Sequence, residues 1–161
     1  MTIKEKVIRT LHKASFGLQQ LKDDFFIIGS AALILSDVDI KHTEDIDIVT
    51  SKRDAELLTQ VWSEYDLHFT PKDSELFRSD LSRYDFGLLD IEITGGLEVC
   101  KNGKWEPLLA YDYETYPIAD LLIKIPTLVE QKNILHLFGR EKDLQKIKLI
   151  DDRLKELNIN A

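Results

Sequence analysis

The stretch Asp45-Ile46-Asp47-Ile48-Val49 constrains this chain more than any other. Acidic and apolar residues alternate singly there, a period of two that suits a strand with one face in a core and does not suit a helix. Ile46 and Ile48 then enter the core, and Asp45 and Asp47 share the opposite face. Asp is disfavoured in strands, and two parallel carboxylates repel unless a cation lies between them. Hard divalent cations such as Mg2+ prefer that oxygen-rich arrangement. The pair is a candidate metal site, set against the plainer alternative of a strand end whose acids face water.

Two further segments bear on that choice. Phe25-Phe26-Ile27-Ile28 is wholly apolar and reads as a buried strand. Gly29-Ser30 ends it, and residues 31–35 read as a helix start. Gly lets a ligand approach the backbone closely. A helix start offers free N–H groups and a positive dipole end to a phosphate. The second segment, Leu88-Leu89-Asp90-Ile91-Glu92-Ile93, is another alternating strand with Asp90 and Glu92 on one face. A neighbouring position in the sheet brings Asp90 beside the first pair, with Glu92 able to replace or assist it.

Elsewhere the apolar period switches between helical and strand-like, which places the chain in the α+β class with an α/β-like character. Thr2 with Glu5 reads as a capping box, opening a helix to about Lys22. Residues 55–65 read as a helix and 67–70 as a short strand. Residues 75–94 read as two strands around Arg83-Tyr84-Asp85, with Gly95-Gly96 closing the second. Asn102-Gly103 marks a tight hairpin between residues 97–101 and 104–109. Pro117 suits a first helical turn, and Ile118, Leu121, Leu122 and Ile125 follow at helical spacing until Pro126. Thr127 caps a segment to Gly139, and residues 140–157 form a last helix.

No repeat or linker divides the 161 residues, so a single domain is expected over 1–161. The lone Cys100 excludes an internal disulfide. No apolar run approaches the ~18–20 residues that span a bilayer, and the N-terminus lacks the apolar stretch of a signal peptide. A cytoplasmic protein without membrane contact is expected. The net charge of −8 weighs against a broad nucleic-acid surface; a basic face around Lys101, Lys104, Lys124, Lys132 and Arg140 would reverse that.

Taken together, Ile27-Ile28-Gly29-Ser30, Thr43-Glu44-Asp45-Ile46-Asp47-Ile48 and Leu89-Asp90-Ile91 resemble, in that order, the nucleotidyltransferase superfamily that includes DNA polymerase beta and the small antibiotic nucleotidyltransferases. The resemblance covers residues 25–94. It implies a mixed sheet flanked by helices, with C-terminal helices over about 117–157. It also implies transfer of a nucleoside monophosphate from ATP or another nucleoside triphosphate to a hydroxyl acceptor, with release of pyrophosphate. Asp45, Asp47 and Asp90 would be the catalytic carboxylates holding two Mg2+ or Mn2+ ions. Gly29 and Ser30 would hold the phosphates, with Glu92 and Thr43 as accessory residues.

The tail, Pro117-Ile118-Ala119-Asp120-Leu121-Leu122-Ile123-Lys124 and Gly139-Arg140-Glu141-Lys142-Asp143-Leu144, resembles the subgroup containing AbiEii-type toxins, which implies Lys124 and Arg140 near the nucleotide. His42 stands where that superfamily often carries Arg, and residues 37–42 lengthen the loop before Asp45. The acceptor is open among a small molecule, a protein and a tRNA end. Two alternatives keep the fold: a non-catalytic nucleotide-binding or interaction module, such as one half of a toxin–antitoxin pair, and a tRNA-modifying transferase.

Overall fold

Thr2 accepts a hydrogen bond from the Glu5 backbone N–H and starts helix α1 (Ile3–Leu18), as its capping box predicts. The computed structural model describes residues 1–157. After α1 come β1 (Phe26–Ile28), α2 (Gly29–Leu35), β2 (Asp45–Thr50), α3 (Lys52–Val61), a 3-10 turn (Ser63–Tyr65), β3 (Phe77–Asp85) and β4 (Asp90–Lys101). The chain continues through β5 (Lys104–Pro107), β6 (Tyr113–Ile118), β7 (Leu121–Pro126), α4 (Leu128–Phe138) and α5 (Glu141–Glu156).

The strands form one mixed sheet in the order β3-β4-β2-β1-β7-β6, with β5 paired to β4. The β2–β4 and β1–β7 pairs are parallel and the others antiparallel. This is the mixed sheet with flanking helices and a helical C-terminus that the resemblance implies. Alternation then sorts the side chains. Ile27, Ile46, Ile48, Ile91 and Ile93 face α1, α2 and α3 in the main core, with Val7, Leu11, Ala31 and Leu58. Phe26, Ile28, Val49, Leu97 and Val99 face the other way and pack with Ile134 and Phe138 of α4. Ile147, Ile150 and Leu154 of α5 pack with Leu33 and Leu135, tying the last helix to α2 and α4. Among the described residues no helix is long and apolar enough to cross a membrane.

Four expectations are corrected. Residues 117–126 belong to a β-hairpin, not a helix: Pro117 pairs Leu122 and Ile118 pairs Leu121 around Ala119-Asp120. Ile118, Leu121, Leu122 and Ile125 fit either period. The strand wins because Ile123 and Ile125 bury on alternate positions while Leu122 stays 67% exposed, and because β1 offers β7 a parallel partner. Pro117 is tolerated because β6 is an edge strand. The turn between β3 and β4 lies after Asp85, where Gly87 takes φ 91, so Arg83 is a strand residue. Gly95-Gly96 does not close β4, which continues to Lys101 past a register shift between Arg78 and Asp80. Residues 67–70 form no strand; only Asp66 bridges to Tyr84.

α1 lies against Trp62, whose ring meets Tyr84 and Phe86 edge-on at 5.1 and 5.0 Å. A Cβ on Gly17 would run into the buried Trp62 indole. Gly17→Val is expected to cost about 1–3 kcal/mol of stability by overpacking. The check is a lower urea midpoint at unchanged slope; an unchanged midpoint would show that this contact is slack.

Candidate functional site

Parallel pairing of β2 with β4 sets Asp45 opposite Asp90 and Asp47 opposite Glu92. Paired residues in a ladder share a face, so four carboxylates stand together on the side away from the isoleucine core. One oxygen each from Asp45, Asp47 and Glu92 lie within 4.8 Å of one another. Asp90 is turned to a different partner. Its Oδ2 accepts from Arg83 Nε at 2.9 Å. Arg83 Nη1 also donates to Asp45 Oδ2 at 3.1 Å and to Glu92 Oε2 at 3.3 Å. Arg83 reaches them from β3, where it sits opposite Glu92 in antiparallel register.

The cluster is short of positive charge. Burial, then the charges of Asp45 and Glu92, push the Asp47 carboxyl up to about 7, against the pull of Lys146 and Arg83. Burial and Asp45 likewise raise Glu92, with Arg83 and Lys142 opposing.

Behind Asp47 the backbone comes close. Gly29 takes φ +71, and a Cβ there would lie 2.9 Å from Asp47 Oδ2. Any other residue would strain the turn and press on the acid. Gly29, Ser30, Asp45, Asp47 and Glu92 line one cavity of about 340 Å³. The same cavity is lined by Arg140, Lys142 and Lys146, all brought by α5 and its N-cap. Lys146 is held below the usual lysine range by burial, with Lys142 and Arg140 adding to the effect and Asp143 and Asp47 opposing it. Neither Lys142 nor Lys146 has a salt bridge among those found in the described residues. Arg140 is committed: its Nε and Nη2 donate to the buried Asp143 at 2.6 and 3.0 Å. Its guanidinium also lies 5.1 and 5.5 Å from the ring centres of Phe77 and Phe138.

The structure therefore gathers Gly29, Ser30, Asp45, Asp47, Glu92 and Arg140 around one cavity and leaves three expected residues outside its lining. Asp90 is on the same sheet face but bound to Arg83. Thr43 is buried before β2 and donates to the Asp45 carbonyl at 3.0 Å, fixing the strand's entry. Lys124 lies on β7 instead of a helix. Its Nζ pairs with Asp24 at 3.0 Å and sits 4.7 Å from the Tyr113 ring centre. The resemblance implied a place at the nucleotide; here Lys124 lies on a strand and outside the lining of the cavity.

Three site residues escaped the sequence reading: Arg83, Lys142 and Lys146. Arg83 was hidden by placing the turn on it. Lys142 sits inside the Gly139–Asp143 motif, and Lys146 follows at i+4 on the same helix face.

A family model described as a nucleotidyltransferase of unknown function, DUF6036, matches residues 6–92. No curated protein sequence matches. Among solved structures, the chain is similar to TM1012 of Thermotoga maritima, itself only provisionally described as a nucleotidyltransferase, at 21% identity and TM-score 0.72, covering 97% of this chain and 96% of that one. It is also similar to the antibiotic-resistance factor ANT(2'')-Ia at 12% identity and TM-score 0.56, covering 94% and 86%. A complex of ANT(2")-Ia with adenylyl-2"-tobramycin matches at 13% identity and TM-score 0.53, covering 91% and 88%. These likenesses establish the shared fold.

Asp47 links pH to stability. Its folded pKa of about 7 lies above the ordinary 3.8, so the native state holds a proton that the unfolded chain has lost. Metal-free stability therefore falls as pH rises from about 4 to about 7 and is level above. Asp47→Asn should remove most of that fall, leaving the share that the raised Glu92 carboxyl contributes. Because Asp47 keeps some solvent contact, the variant should gain about 1–2 kcal/mol over the parent at pH 8 and nothing at pH 4. Urea melts in a chelator at both pH values provide the measurement, and a parent whose stability rises over that range would refute it.

Proposed function

The chain belongs to the DUF6036 family of nucleotidyltransferases, and from that premise we propose that it moves a nucleoside monophosphate from a nucleoside triphosphate to a hydroxyl group and releases pyrophosphate. One observation carries the reading. Three carboxylates converge within 4.8 Å in a cavity lined also by two lysines that have no salt bridge among the described residues.

The donor set suits a divalent cation. It is all oxygen, three-fold and acidic, and the neighbouring charges of Asp45 and Glu92, which with burial raise Asp47, are what a bound cation would offset. Asp45, Asp47 and Glu92 would hold Mg2+ or Mn2+. Glu92 takes the third position in place of the expected Asp90, since it lines the cavity and Asp90 does not. Bound there, the metal would screen the triphosphate and lower the pKa of the attacking hydroxyl.

The remaining work falls to the chain's own groups. The Ser30 hydroxyl and backbone N–H groups at Gly29-Ser30 orient the terminal phosphates, because Gly29 leaves the backbone bare beside Asp47. Lys142 and Lys146 draw the polyphosphate into the cavity and offset the charge that develops as pyrophosphate leaves. Arg140, clamped by Asp143 and stacked on Phe77 and Phe138, shapes a flat wall for the nucleoside and adds little free charge. Glu92, at the edge of the acid cluster that lines the cavity, would accept the proton of the incoming hydroxyl. The reaction asks for in-line placement and charge neutralisation, which this opposition of acids and lysines supplies.

The acceptor is a small hydroxylated molecule in preference to a tRNA end or a protein, because a chain of net charge −8 repels phosphate backbones. The complex that carries adenylyl-2"-tobramycin offers a precedent on the same fold. A cytoplasmic setting, where nucleoside triphosphates are made and used, completes the proposal.

Asp45→Asn with Asp47→Asn is expected to abolish label transfer from α-labelled nucleotides and Mg2+-dependent nucleotide binding, with circular dichroism unchanged. Nucleotide binding equal to the parent's would sink the assignment, and binding without turnover in the parent would favour the non-catalytic module. Lys146→Met should weaken triphosphate binding roughly tenfold, as expected for one charge-assisted contact. Lys124→Met should leave it unchanged, and calorimetry separates the two.

A further inference from the structure

The acid cluster already contains a cation. Arg83 meets three of its four carboxylates, at 2.9 Å to Asp90, 3.1 Å to Asp45 and 3.3 Å to Glu92. The arginine side chain is only 21% exposed, so water screens these contacts weakly. It is held in place by the register of β3 on β4, and the planar guanidinium loses little freedom in making them. Asp47 receives no bond from it. The four acids thus fall into two halves. Asp90 is spent on Arg83, whereas Asp45, Asp47 and Glu92 remain close enough together to share an ion.

We infer that Arg83 is a positioning residue that occupies one cation position of this cluster and holds the resting protein to a single divalent ion. The inference rests on reading Asp45, Asp47 and Glu92 as a cation site. On this basis the guanidinium holds the Asp90 carboxylate out of the cavity until a nucleotide and acceptor are bound. Loading of a second ion requires Arg83 to leave Asp90 and Asp45. No sequence motif marks the residue, and an uncharged side chain at position 83 would leave all four acids to mobile ions.

The test is a Mn2+ titration of the full-length chain without nucleotide, followed by the paramagnetic resonance signal of free Mn2+. The parent, Arg83→Gln, Arg83→Lys and Asp45→Asn are compared, with thermal melts as a check of folding. The parent should bind one Mn2+, and Asp45→Asn should lose it. Arg83→Gln should bind two, the first at least about tenfold more tightly, because a fixed positive charge has left the cluster. Arg83→Lys, which keeps the charge, should stay at one. A merely structural arginine predicts equal or weaker Mn2+ binding on substitution.

Two ions in the parent, or one ion at unchanged or weaker affinity in Arg83→Gln, would overturn the inference and leave the cation site standing. No Mn2+ bound by either protein would overturn both. Should Arg83→Gln fail to fold, the parent's stoichiometry decides, one ion in favour and two against.

Discussion

Two strands running side by side in the same direction hold four carboxylates at a spacing their charges oppose. The parallel β2–β4 ladder fixes Asp45 against Asp90 and Asp47 against Glu92. Arg83 relieves part of that repulsion but does not impose the arrangement. The opposite face does. Ile46, Ile48, Ile91 and Ile93 are fully buried beneath the first three helices, and burying each is worth roughly 1.5–3 kcal/mol. The same alternation that drives the isoleucines inward forces the acids outward onto one surface. Core packing thereby maintains an electrostatically strained site, and the raised Asp47 is where that strain is visible.

The C-terminal helices answer this surface with the opposite charge. Thr127 caps α4, Gly139 ends it at φ 66, and α5 starts at once with Arg140 as its cap. Buried Asp143 accepts from both the backbone and the side chain of Arg140, which fixes the first turn of α5 beside the sheet. Lys142 and Lys146 then project into the cavity from consecutive turns. Leu33 and Leu135, packed with Ile147 and Ile150, fix α5 relative to α2 and hence to Gly29. The distance between the acids and the lysines is accordingly a property of the core. The relatives of known structure share this frame at identities of 12–21%, which is expected if the frame depends on periodicity more than on particular residues.

Where residue spacing had one physical solution, the sequence was legible. Asp45-Ile46-Asp47 can only be a two-faced strand, and Asn102-Gly103 between strands can only be a tight turn. Thr2 with Glu5 and Thr127 with Gly139 marked their helix ends correctly. The failures came where two periods fitted. Ile118, Leu121, Leu122 and Ile125 satisfy a helix as well as an alternating hairpin, and only the open edge of β1 decided between them. That one ambiguity put Lys124 on a helix, whereas it lies on β7. Misplacing the β3–β4 turn by a few residues had a similar effect on Arg83, because a strand residue read as a turn residue is assigned no face.

The sequence by itself determined that Asp45 and Asp47 share a face, that Gly29 and Ser30 follow a buried strand, and that a third acid arrives on a later strand, since each depends only on local alternation. The tertiary structure decided which third acid comes within 4.8 Å of them, Glu92, while Asp90 on the same face of β4 turns to Arg83 Nε and lies outside the cavity lining. It also decided which cations face the acids. Lys142 and Lys146 are about a hundred residues from Asp45 in the chain, and their approach depends on how α5 packs against α2 and α4, a contact no local pattern encodes.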